Sequence, residues 1–139
     1  MKQCDIMKIS EEEVAFVSEQ ESLEKGVSFI RDNSDIKILF VTLGNKGSIA
    51  YYKDEKIYCG GIHQEHVVDT TGAGDTFCGA VLSRILELGT DALTEKDISE
   101  MLLFANAAAS IVVTRKGALC SMPEPEEIRA ASSLIDKVL

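Results

Sequence analysis

The sequence predicts an α/β domain with helices on both faces of a sheet, and three observations carry that prediction. Ile36 to Leu43 (IKILFVTL) is a nearly unbroken apolar run rich in branched residues. Continuous apolarity is expected of a strand covered on both faces, as in a parallel α/β sheet. Residues 74–89 repeat Phe77, Val81, Ile85 and Leu88 at helical spacing and end on Gly89, the pattern of a helix burying one stripe. Ser48–Tyr52 and Lys56–Gly60, joined by the polar Lys53-Asp54-Glu55, read as an antiparallel hairpin. A chain of 139 residues suits one domain and can bury a core without disulfides or metals.

The remaining elements follow in order. Cys4 to Ile9 reads as a short strand. Ser10-Glu11-Glu12-Glu13 has the form of a capping box opening a helix. A second helix fits residues 21–32, with Leu23, Val27 and Ile30 on one face, and Asn33-Ser34-Asp35 ends it. Gly44-Asn45-Lys46-Gly47 is a turn. His63 to Val68 is expected to be one more extended piece. Thr94-Glu95-Lys96-Asp97 caps a long helix over 95–113. Pro123 and Pro125 precede a last amphipathic helix over 124–138, carrying Ile128, Leu134, Ile135 and Val138. The sequence shows no repeats and no linker, and the sum is a layered α/β domain.

Composition excludes several classes. Lys and Arg number 14 against 23 Asp and Glu, a net charge of −9, which disfavours nucleic acid and anionic membranes as partners. No apolar run reaches the ~18–20 residues of a membrane span. Cys4, Cys59, Cys78 and Cys120 are scattered without a C-x-x-C, so free, buried thiols in a reduced, cytoplasmic setting are expected. Cys59, His63 and His66 lack a fourth zinc ligand.

The chemistry lies in Val68-Asp69-Thr70-Thr71-Gly72-Ala73-Gly74-Asp75-Thr76-Phe77, between an extended piece and the strongest helix. Gly72 and Gly74 allow backbone N–H groups to converge, and the helix adds its own free N–H groups and positive dipole end. The result is an anion cradle made of backbone. A P-loop is excluded because no lysine follows these glycines, and G-x-G-x-x-G fails at Phe77. Asp75 beside such a cradle could accept a proton from a hydroxyl while the N–H groups hold a transferring phosphoryl group. Alternatively, it caps the helix.

DTTGAGDTF resembles the C-terminal signature of the PfkB-type, or ribokinase-like, carbohydrate kinase family. Lys8-Ile9-Ser10-Glu11-Glu12-Glu13 is similar to the family's Asn-x-x-Glu region, and Val41-Thr42-Leu43-Gly44 with Gly47 to its nucleotide turn. Phe104 to Ala109 and Val113 to Ala118 resemble the segments flanking the adenine and a monovalent cation. KISEEE and RKGALCSMP look most like fructokinases.

The resemblance implies a three-layer ribokinase-like fold, and an enzyme that moves the γ-phosphate of ATP to a sugar's primary hydroxyl. Asp75 matches the catalytic base, and Gly72, Ala73 and Gly74 the anion hole. Thr42, Gly44 and Gly47 match nucleotide contacts. Asn106 matches a residue beside the adenine, its alternative being a packing asparagine. The small run Ala107-Ala108-Ala109 suits either a flat base or tight helix packing. Glu13 matches the residue organising waters around Mg2+; Ser10 stands where the family has Asn, and the capping box explains both residues equally. Asp69 and Thr71 match positions holding a potassium-like cation, with carbonyls near Val113 and Gly117, or else they brace a turn. The same resemblance implies that residues 1–139 are a partial domain, the C-terminal half of a kinase, without the N-terminal half, the lid and most sugar contacts. A homo-oligomer, or pairing with an N-terminal half, is expected. Other acceptors (ribose, a nucleoside) and a non-catalytic nucleotide-binding or assembly role are the alternatives.

Overall fold

The computed structural model describes residues 4–135. Strand β1 (Ile6–Ser10) leads into helices α1 (Glu11–Ser18) and α2 (Leu23–Asp32), then strand β2 (Ile38–Thr42). A 3-10 turn, Gly44–Lys46, joins β2 to β3 (Gly47–Tyr52), and β4 (Glu55–Gly60) completes a hairpin. Helices α3 (Ala73–Leu88), α4 (Glu95–Val112) and α5 (Pro125–Ile135) follow. Val138, expected in the last helical stripe, lies outside the described residues, whereas Ile128 is buried as expected.

The sheet has the order β1-β2-β3-β4. β1 and β2 are parallel, whereas β2–β3 and β3–β4 are antiparallel. The apolar run therefore forms a central strand of a mixed sheet. The two-helix connection between β1 and β2 permits a parallel crossover, while the short Gly44–Lys46 turn permits only an antiparallel return.

The strand alternation explains the unbroken apolarity of 36–43. Ile38 and Phe40 enter one core with Phe77, Val81, Ile85, Met101 and Leu102 of α3 and α4. Leu39 and Val41 enter a second core with Val14, Val27 and Ile30 of α1 and α2. Each face of β2 is thus buried, and Phe40 meets Phe77 edge-on with ring centroids 6.3 Å apart. Gly26 lets α2 close on α1: a Cβ there would lie 2.6 Å from Val14 Cγ1.

Both predicted caps are present, and each is a capping box. The Ser10 hydroxyl accepts from the Glu13 N–H, and the Glu13 carboxylate accepts from the Ser10 N–H. Thr94 and Asp97 repeat the arrangement at α4. His63 to Val68 pairs with no strand among the described residues: Val67 and Val68 are 56% and 60% exposed, and Val68 is held by the Val113 carbonyl. One expectation is corrected. The thiols are free but not buried, since Cys4, Cys59 and Cys78 are half-buried and Cys120 is exposed.

Candidate active site

One end of the sheet gathers most of the predicted site. Ser10 and Thr42 are neighbours at the C-terminal ends of the parallel pair, Thr42 faces Ser48, and Ser48 faces Cys59. Ligands in open α/β sheets bind beyond such carboxyl ends. The Gly44–Lys46 turn emerges from this row. Gly44 is exposed with φ +59°, and nothing would crowd a Cβ there. Gly47, at φ +110°, has a different reason to be glycine. A Cβ would lie 2.1 Å from the Cys59 carbonyl oxygen, so it is the hairpin's own backbone that approaches it closely.

Asn106 sits on the same row but is only 7% exposed. Its carbonyl accepts from the Ser48 hydroxyl at 2.9 Å, and its amide donates to the carbonyls of Cys59 and Gly60, each at 3.2 Å. The side chain fastens α4 to the hairpin, which agrees with the packing alternative. Ala107 and Ala108 are fully buried in the core, so tight helix packing accounts for them. Burial pushes the Cys59 thiol up, against the hydrogen-bonding effect of Asn106.

The cradle forms at the start of α3. Gly72 is the N-cap residue at φ +84° and supplies no side-chain cap. The Ala73 N–H reaches the Thr70 carbonyl at 3.2 Å and the Thr76 N–H the Gly72 carbonyl at 2.8 Å. The N–H groups of Gly74 and Asp75 fall at positions without a helical partner, and among the described residues they have none. Asp75 is exposed, and its carboxylate makes no side-chain hydrogen bond or ion pair among the described residues. It is therefore not a cap. Thr76, next in the chain, keeps a buried hydroxyl with no partner.

Asp69 and Thr71 brace the approach to the cradle. Asp69 accepts from the Thr71 N–H at 2.9 Å and from the Gly117 N–H at 3.3 Å. The Thr71 side chain, then the N–H groups of Thr71 and Gly117, hold its carboxyl below the usual range. The Val113 carbonyl accepts from both Val68 and Asp69, and the Gly117 carbonyl accepts from the Ser121 hydroxyl. The four predicted cation-site positions do come together, but bonded to one another as a turn.

Glu13 is exposed on the first turn of α1. The Ser10 N–H, at 2.7 Å from Oε2, lowers its pKa, opposed by partial burial and aided slightly by the charge of Lys8. Lys8 itself was not among the residues predicted from sequence. It shares a face of β1 with Ile6 and Ser10, and its Nζ lies 3.0 Å from where a Cβ at Gly74 would stand. The signal was available: a lone lysine breaks the apolar alternation of Ile6-Met7-Lys8-Ile9 on the side that faces α3. Among the described residues no cluster of His, Cys, Asp and Glu is arranged to hold a metal ion, and no helix is long and apolar enough to cross a membrane.

Residues 1–125 match the family model described as pfkB family carbohydrate kinase. Fructokinase-1 of Zea mays is 40% identical over 128 residues, covering 91% of this chain and 39% of the maize protein. The fructokinase of Vibrio cholerae O395, solved with fructose, ADP and a calcium ion, superposes with a TM-score of 0.81 at 32% identity, over 91% of this chain and 40% of its own. Arabidopsis thaliana ribokinase, solved with ribose and ATP, gives 0.75 at 33% identity, over 92% and 40%. The chain thus spans about two fifths of the length of these relatives. Within that span, the sheet, its two helical layers and the Asp69–Phe77 segment agree on one conclusion: this chain belongs to the pfkB family of carbohydrate kinases and has the ribokinase-like α/β fold.

Proposed function

We propose that this chain supplies the phosphoryl-transfer and nucleotide-binding part of an ATP-dependent sugar kinase of the fructokinase type. The observation that carries the reading is Asp75: an exposed carboxylate that has no partner among the described residues, next to Gly74 and beside helix N–H groups that are likewise unpaired among them. A carboxylate there takes the proton from the sugar's primary hydroxyl as it attacks the γ-phosphate. The N–H groups of the Gly72–Asp75 turn hold the charge that builds on the transferred group. Thr42 and the Gly44–Gly47 turn place the nucleotide beyond the sheet, and Asn106 sets the hairpin that borders it.

Glu13 suits a divalent ion. One carboxylate oxygen is bonded to Ser10, and the other has no partner among the described residues, which fits holding the waters of Mg2+. When bound, that ion neutralises phosphate charge. The oxygens of Asp69 are both engaged by N–H groups, a poor fit to a monovalent cation, so no step runs through one. Fructose is the preferred acceptor because the maize and Vibrio relatives are fructokinases. Ribose is the second reading, supported by the Arabidopsis neighbour.

The test joins this chain to the N-terminal part of a fructokinase and follows ADP release with fructose and with ribose. Asp75→Asn is expected to lower turnover by at least about a thousandfold. An unchanged rate would show that Asp75 is not the base. The chain alone is expected to turn over weakly or not at all, because positioning and water exclusion need the rest of the kinase.

A further inference from the structure

We propose that Tyr58 is a positioning residue for the nucleotide, its hydroxyl fixing the Gly44–Lys46 turn from the neighbouring edge strand. The inference rests on the kinase reading above, which gives that turn to the nucleotide. Tyr58 lies on β4, at one edge of the sheet. Its neighbours Ile57 and Cys59 pack toward α3 and α4, so Tyr58 stands on the opposite face, paired across the hairpin with Ile49. From there its hydroxyl donates to the Lys46 carbonyl at 2.7 Å, although the residue is 59% exposed.

The turn has little else to hold it. Gly44, Asn45 and Lys46 are all exposed, no side chain caps the turn, and nothing lies within 4 Å of a Cβ placed on Gly44. The Lys46 N–H reaches the Leu43 carbonyl at 3.2 Å, and the Gly61 N–H reaches the Lys46 carbonyl at 3.0 Å. Among the described residues, Tyr58 is the one side chain that hydrogen-bonds this backbone. The Lys46 ammonium group also meets Glu11 of α1 at 3.7 Å, but the pair is solvent-exposed and contributes little. A single 3-10 turn has few bonds of its own and poorer geometry in them. A donor from β4 therefore removes freedom that a ligand would otherwise have to remove on binding. Apparent affinity falls in proportion as the competent form of the turn becomes less populated.

The probe is ATP, titrated calorimetrically into the 139-residue chain, with amide hydrogen exchange of residues 44–47 followed in the free chain. Tyr58→Phe keeps the ring and removes only the hydroxyl. Tyr52→Phe is the control, since its hydroxyl makes a comparable bond, at 2.9 Å to the Thr90 carbonyl and not to the turn. Thermal unfolding confirms that both variants are folded. Tyr58→Phe is expected to weaken ATP by about threefold to tenfold and to speed exchange at 44–47, with the unfolding midpoint nearly unchanged. Tyr52→Phe should leave ATP affinity and that exchange at their wild-type values. A loss below about threefold with Tyr58→Phe would overturn the assignment and leave the kinase reading intact. An equal loss with Tyr52→Phe would show general loosening of the hairpin and overturn it too. Weaker ATP with unchanged exchange at 44–47 would make Tyr58 a direct contact, and the positioning role would fall. A wild-type chain that binds no ATP would overturn the nucleotide reading of the turn, and Tyr58 with it.

Discussion

Gly72 and Gly74 stand two residues apart and are glycines for different reasons. At Gly72 the backbone is left-handed, and a Cβ would come within 3.1 Å of the Ala118 Cβ. Gly72→Ala therefore adds both strain and a contact, and a loss of about 1–2 kcal/mol is expected in urea unfolding. At Gly74 a Cβ meets only the end of the Lys8 side chain, which can swing aside. Gly74→Ala should leave the unfolding midpoint nearly unchanged while weakening the binding of polyphosphate. The family resemblance matches Asn106 to a residue beside the adenine, with packing as the alternative; the partners it has here, the Ser48 hydroxyl and two hairpin carbonyls, lie in other elements, and only the fold brings them to it. Asn106→Ala would leave those groups unpaired and should cost about 1–3 kcal/mol, seen as a lower unfolding midpoint. An equally stable variant would contradict the clamp.

At the scale of elements, the strongest local signals were the most faithful. The capping boxes at Ser10 and Thr94, the helical stripe of α3 and the hairpin were legible because each is written within a few neighbouring residues. His63 to Val68 joins no sheet among the described residues, because extended backbone becomes a strand only if another strand lies beside it, and that neighbour is decided far along the chain. The capping boxes carry a pH signature. The Ser10 N–H lowers the Glu13 carboxyl, and the Thr94 hydroxyl and then its N–H lower that of Asp97. A carboxyl with a depressed folded-state pKa stabilises the fold above its unfolded pKa and loses that effect as pH falls through the folded value. Stability should thus be flat near neutrality and fall below about pH 4. The double variant Glu13→Gln, Asp97→Asn should flatten that acid limb in pH-dependent urea unfolding.

For the whole molecule, the sheet order leaves β1 at an edge, with hydrogen-bonding groups on its outer side unpaired among the described residues. Phe16 on α1 and Leu86 on α3 are 85% and 87% exposed. Open edges and exposed apolar side chains favour association. Sedimentation at about tens of micromolar is expected to show self-association, and a single sharp monomer boundary would refute it. The net charge of −9 says nothing of the cradle's own character, because the backbone N–H groups at a helix start carry no formal charge to count.

The bonds from Val68 and Asp69 to the Val113 carbonyl, with that from Gly117 to Asp69, join the segment before α3 to the segment after α4. The two cannot shift independently without breaking these bonds. In the proposed nucleotide site, a ligand that displaced residues 113–117 would alter the entry to the cradle, and by reciprocity an anion held in the cradle would alter the affinity of that neighbouring segment for its own ligand. Occupancy of one part would thereby be reported to the other through three backbone amides.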